Sequence, residues 1–420
     1  MSPTTRVAGV LGVIALSALL LPGVVVLAAM GMLAVATLAD GVSARRSPRL
    51  RRSMPPVLAR GVPSKIVVES GESAERGRRA TRVRVRQPAA PDLRVDPPEA
   101  DGRLDATVVA RRRGRHAVPA VAAERTGPLG LATRQFEGEG RAEVLVFPDV
   151  PAARRLALAV RRGRFREQGR QRRGPLGLGT EFESIRDYLP DDDIRQVNWT
   201  ATARVGRPMT NQYRIEQDRD VVCLIDAGRL MGAPIGDLTR LDATVDAATA
   251  VVLVADEMGD RSGVIAFDSE LRRRVEPRRR GGEAVVHAIF DLEPRSLDSD
   301  YDLAFRSVGG SKRSLVLVLT DLLDEAAARA LVAAVPVLAR RHAVVVASVR
   351  DPDVDSAVRT PPRDVRDVAA AAVALDLIDA RTRVAAQLRA AGAEVVQAAP
   401  EHLSEACVGV YLRLKERARI

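Results

Sequence analysis

Residues 7–39 form one apolar run, broken at Pro22-Gly23. Three architectures fit that pattern: a single kinked helix, a tight hairpin of two helices over 7–21 and 24–39, and a cleaved signal peptide ending near Ala34-Val35-Ala36. Each half of the run would be roughly 22 Å long at 1.5 Å per residue. That is short for a hydrocarbon core of about 30 Å, while the whole run is too long for one upright span. The run is also about twice the usual apolar region of a signal peptide. The hairpin is the favoured reading. Downstream the period changes. Short alternating stretches at 64–69, 81–86, 103–110 and 143–147 are separated by Pro, Gly and Asp clusters, which predicts strands. From Asp220 onward, continuous apolar strands at 221–225, 263–267, 315–319, 343–349 and 393–398 alternate with amphipathic helices at 238–258, 283–292, 302–308, 325–340, 365–391 and 401–415. That alternation predicts a mostly parallel sheet covered on both faces.

The resulting domain plan has a transmembrane pair over 1–40 and a basic juxtamembrane linker over 41–54. A small β-sandwich follows over 55–151, then an Arg-rich linker over 152–174. The α/β part occupies 175–420. Charge sharpens this plan. The chain carries a net +11, but residues 40–174 hold 31 Arg and Lys against 15 acids, and residues 175–420 hold 33 against 39. A basic zone next to a membrane segment favours an anionic membrane surface. Nucleic acid is the disfavoured partner, because the zone lacks the interleaved aromatics that stack on bases. Arg6 before the apolar run and Arg45, Arg46, Arg49, Arg51 and Arg52 after it are positive flanks, which put the soluble part in the cytoplasm. Cys223 and Cys407 read as small buried hydrophobes, with no disulfide framework or zinc spacing.

In a doubly wound sheet, ligands sit beyond the carboxyl ends of the strands. Asp226 follows the first strand of that region, and Asp321, in Thr320-Asp321, follows the strand at 315–319. This arrangement resembles the von Willebrand factor A-type domain, whose metal site joins an Asp-x-Ser-x-Ser loop, a Thr and a second Asp. Mg²⁺ takes oxygen ligands in near-octahedral geometry. Here Gly228 and Leu230 stand where the two serines belong, and Tyr301 lies about where the Thr belongs. Two carboxylates remain without the hydroxyls, so the site reads as degenerate and no cofactor is expected. Arg229 is a candidate to neutralise Asp226.

The segment 181–226 packs the single Trp and two of the four Tyr into a chain that is only 3 % aromatic. Within and around it, Arg186-Asp187-Tyr188, Asp192-Asp193-Ile194-Arg195, Asn198-Trp199 and Ala203-Arg204 fall in order. Ala39-Asp40, Arg113-Gly114-Arg115, Gly127-Pro128-Leu129-Gly130-Leu131, Val146-Phe147-Pro148 and Tyr411-Leu412-x-Leu-Lys415 accompany them. This ordered set resembles the bacterial family called domain of unknown function 58. Physically, Asp191 or Asp192 is expected to cap a short helix, with Asp192 beside Arg195 at i,i+3. Arg204 is expected to hold Asp187 or Asp193, and Trp199 to anchor the helix on the core. No nucleophile–base pair or phosphate loop is visible, so an enzyme is not expected. The resemblance implies a membrane-anchored binding or adaptor protein that works with a MoxR-type AAA+ ATPase in envelope or stress-related assembly; independently, the sheet edge near Asp226 and Asp321, where this fold presents ligands, is the expected docking surface. The alternative is a metal-dependent adhesion module; a hydrolase has no supporting motif.

Overall fold

The computed structural model describes residues 2–416 apart from 72–81, 139, 168–169, 172–180, 190–191, 193, 215–217, 310–312 and 323–324. The chain divides into two compact units, Met1–Phe147 and Pro148–Ile420.

In the first unit the apolar run forms two helices, α1 (Thr5–Ser17) and α2 (Gly23–Ser43), separated at Pro22. Of these, α2 is long and apolar enough to cross a membrane. Outward side chains such as Leu16, Leu27, Met32 and Val35 are exposed. Eleven strands follow: β1 (Leu50–Ser53), β2 (Val57–Ala59), β3 (Ser64–Ser70), β4 (Arg82–Arg86), β5 (Leu93–Asp96), β6 (Glu99–Asp101), β7 (Arg103–Ala110), β8 (Gly114–Val118), β9 (Ala122–Thr126), β10 (Ala132–Glu137) and β11 (Ala142–Phe147). They form a four-stranded sheet β1-β3-β7-β5, a three-stranded sheet β2-β11-β8, and the run β10-β9-β4-β6, onto which Ser2–Pro3 adds beside β10. Alternation sorts the side chains: in β7, Leu104, Ala106 and Val108 are buried while Arg103, Asp105 and Thr107 face out. Apolar residues of all three sheets share one core, with Ile66, Val85, Leu104 and Val144 fully buried.

The second unit opens with a difference from expectation. Residues read as Arg-rich linker begin with a helix, α3 (Val150–Arg161). Asp149 accepts from the Ala152 N–H and Pro151 occupies the first turn. The Arg side chains occupy the outer stripe, while Ala153, Ala157 and Val160 are buried. A strand pair follows, β12 (Glu181–Asp187) and β13 (Met209–Arg214), enclosing α4 (Trp199–Val205). The main sheet comprises β14 (Asp220–Asp226), β15 (Arg261–Phe267), β16 (Leu271–Arg279), β17 (Ser314–Leu319), β18 (Ala343–Val349) and β19 (Glu394–Ala398), in the order β16-β15-β14-β17-β18-β19. All pairs are parallel except the β15–β16 edge. Helices α5 (Arg240–Glu257), α6 (Gly282–Ile289), α7 (Tyr301–Arg306), α8 (Glu325–Ala339), α9 (Pro352–Arg359), α10 (Val365–Ala390) and α11 (Pro400–Glu416) complete the unit.

The expected strands and long helices are present within a few residues. β16 escaped the sequence reading because five Arg mask its period, and α9 because it is short and polar. Alternate residues of β14, β15, β17 and β18 build a core with α7, α8 and α10. Their other faces are buried as well, so the strands read as unbroken apolar runs. α5 starts on a capping box, Thr239 with Asp242, and packs against α11 and α3.

Candidate functional site

Two chemically dense places stand out in the second unit, and one in the first. At the carboxyl end of β14, Asp226 is 3 % exposed. Its Oδ1 accepts from the Gly228 N–H at 2.8 Å and the Ser299 hydroxyl at 2.5 Å. Its Oδ2 accepts from the Tyr301 hydroxyl at 2.9 Å and the Thr320 hydroxyl at 2.7 Å. Burial and the Asp226 charge push the Tyr301 phenol well above its ordinary pKa, so it remains a donor. Gly228 is required here: a Cβ would lie 2.2 Å from Ser299 Oγ and 2.9 Å from the Leu297 carbonyl. Ser299, on a loop 73 residues away, thus brings in a hydroxyl beside the position that lacks a serine. Sequence reading missed Ser299 because that role depends on loop closure.

Two expectations are corrected. Arg229 does not neutralise Asp226; it reaches Asp298 at 2.6 Å on the surface. Asp321 is not a companion ligand to Asp226, because the Arg240 guanidinium bonds it directly and the Leu322 N–H caps its other oxygen at 2.8 Å. Leu230 lies in a short 3₁₀ turn, Arg229–Gly232. This donor set does not fit a hard divalent cation. Both oxygens of Asp226 already accept from four protein donors, and Asp321 is matched to a cation of the chain's own. The Asp226 and Asp321 carboxylates are themselves buried, so neither is presented at the surface of that edge.

The second place is the β12–β13 pair. Arg186 bonds Asp192 bidentately, at 2.9 and 2.7 Å, and the Leu189 N–H adds a third bond at 2.8 Å. The guanidinium bond and then that N–H hold the Asp192 carboxyl below the usual range. Tyr188 donates to the Asp192 carbonyl at 3.2 Å. Asp192 therefore partners Arg186, and the cap of α4 is Asn198, whose Oδ1 accepts from the Ala201 N–H at 2.9 Å. Asn198 Nδ2 also donates to Asn211 at 2.8 Å. Asp187 pairs with Arg207 at 3.2 Å rather than with Arg204. Asp191, Asp193 and the Arg195 side chain lie outside the described residues.

Trp199 is the largest correction. It is 69 % exposed, not a buried anchor. As the first residue of α4 it projects outward from the polar frame that shapes the turn. Ile185, Leu189, Ile194 and Val205 of the same segment are exposed as well. The polar motif residues are spent on one another, and the apolar ones face out.

In the first unit, Asp40 at the end of α2 is buried. It accepts from the N–H groups of Leu129, Leu131 and Ala132 at 2.7, 2.7 and 2.9 Å. Gly127 permits this, since a Cβ would sit 2.3 Å from the Asp40 carboxyl. Thr4, before α1, bonds the same loop through the Leu131 and Gly130 carbonyls at 2.9 and 2.7 Å.

The model of a family described as protein of unknown function DUF58 matches residues 184–396. Uncharacterized proteins of Mycobacterium tuberculosis and Mycobacterium bovis are 24 % identical over 153 residues, covering 35 % of this chain and 48 % of each relative. The chain spans about half the length of these curated relatives.

Proposed function

The chain belongs to the DUF58 family, and from that premise we propose that it is a membrane-anchored binding protein without catalytic chemistry, an adaptor for a MoxR-type AAA+ ATPase. The observation that carries this reading is the exposed Trp199 face. Exposed apolar patches on soluble surfaces mark interaction sites, and Trp is enriched among residues that dominate binding energy. The Arg186–Asp192 and Asn198–Asn211 bonds fix the shape of the face in advance, which lowers the entropy lost on docking. In this reading the parallel sheet with Asp226 and Asp321 at its carboxyl edge is an A-type domain whose cation has been replaced by internal donors. Among the described residues, no feature favours the metal-dependent adhesion alternative.

The anchor is a hairpin with both ends in the cytoplasm. Thr4 before α1 and Asp40 in the last turns of α2 bond one loop, 129–132, which supports an even number of crossings. An anionic membrane surface then meets the basic zone that follows.

The test is a crosslinked pull-down of full-length protein from its native membrane, comparing wild type with Trp199→Ala. The substitution is at an exposed position and should change stability by no more than about 0.5 kcal/mol. The ATPase should be recovered with wild type and lost with the variant. Equal recovery with both would overturn the assignment of this face, and an absent ATPase in both would overturn the partner.

A further inference from the structure

The carboxyl edge of the main sheet holds a buried guanidinium that the Asp226 network does not use. Arg381, on α10, is 4 % exposed, and its Nε and Nη2 have no hydrogen-bond acceptor among the described residues. Those two atoms are the adjacent donors of one guanidinium edge. That edge matches both oxygens of a carboxylate, as in bidentate Arg–carboxylate pairs. Among the described residues, the acids that act on it are engaged elsewhere. Asp321 bonds Arg240, Asp351 lies 3.8 Å from Arg240 Nη2, and Asp355 pairs with Arg350 at 3.1 Å. Asp321, Arg240, Asp355 and Asp351 all act electrostatically on Arg381, which locates it among the loops after β17 and β18.

Two physical points turn this into a site. A buried charged donor left without an acceptor is costly, more so than a neutral one. Burial lowers the pKa of Arg381, as desolvation of a cation does. The topology supplies the place. The chain leaves β14 for β15 on one side and returns to β17 on the other. Open parallel sheets bind ligands outside the carboxyl ends where the order reverses, here between β14 and β17, and the loop carrying Asp321 after β17 borders that point.

We propose that Arg381 receives a carboxylate beyond the carboxyl ends of β17 and β18, held by its Nε–Nη2 edge with Arg240 as the neighbouring cation. Among the described residues, Arg240, Arg350 and Arg381 stand against Asp321, Asp351 and Asp355 there, so a monoanion disturbs the balance less than a phosphate dianion. The carboxylate comes from a small acid or from an acidic side chain of a partner. The site stands whether or not the Trp199 face docks an ATPase.

The experiment melts the full-length protein in detergent micelles at matched ionic strength in chloride, phosphate or acetate, and with N-acetylglutamate amide. Acetate near saturation should raise the melting temperature over chloride by on the order of 3 °C. Arg381→Met should lose that shift without a lower melting point in chloride, because it removes an unpaired buried charge. Arg381→Lys keeps the charge but lacks the two-donor edge, and it too should lose most of the shift. It serves as the arbiter should the Met variant not fold. A shift with the blocked glutamate as well admits a protein side chain; acetate alone restricts the site to a small acid. No acetate shift, an equal shift in phosphate, or a shift that persists in both variants would overturn the proposal.

Discussion

The imidazole of His342 sits where a proton is costly. It is buried at the start of β18, and its Nδ1 lies 3.3 Å from the Ser314 N–H, which the neutral ring can accept. Burial first, then the Arg341 and Arg313 charges, hold its pKa below 6.5. The unfolded chain therefore binds the proton more readily. Stability from this residue is complete above about pH 6.5 and is lost as pH falls through the lower folded value. Urea midpoints should fall between pH 7.5 and pH 5, and His342→Gln should flatten that fall. An unchanged slope in the variant would assign the pH dependence elsewhere. At the same scale, Trp199 was misread because apolar residues are inside only as a tendency. Its composition is visible in the sequence, but its facing is not.

Elements decide the chemistry at the sheet edge. The loop after β14 lacks both serines, and the loop before α7 supplies a hydroxyl through Ser299. The two loops fit only because position 228 carries no side chain. Gly228→Ala should destabilise by about 1–3 kcal/mol through overpacking. Ser299→Gly should relieve part of that cost by removing the atom a Cβ would strike. The double-mutant cycle should give a coupling of at least about 0.5 kcal/mol, read from denaturant midpoints. Additive single effects would show that the two loops are independent. The same dependence on context explains the α3 segment. Its Ala and Val stripe was in the sequence, but frequent Arg among Gly and Gln suggested an exposed linker until packing against α5 gave the stripe a surface.

For the whole molecule the testable matter is topology. A hairpin anchor predicts that reporters fused before Ser2 and after Ile420 are both active in the cytoplasm. Thr4 and Asp40 meeting one loop supports that outcome, as does Arg on both flanks of the apolar run. Opposite sidedness of the two reporters would leave a single crossing by α2. Residue-level burial agrees with a lipid-facing segment, since Leu27, Met32 and Leu38 are exposed on an apolar helix.

The sequence alone determined the apolar entry, the alternation that makes a mostly parallel sheet, the Asp residues at its carboxyl edge and the ordered motif of 186–204. Each is a local pattern, governed by periodicity of 2 or 3.6 and by neighbours a few residues away. Only the tertiary structure decided who pairs with whom. Asp226 with Ser299 and Tyr301, Asp321 with Arg240, and Asp40 with the 129–132 loop join residues about 70 to 90 positions apart. Arg381 left with a bare donor edge is likewise a property of packing, because a hydrogen bond depends on a few tenths of an ångström that no spacing along the chain encodes.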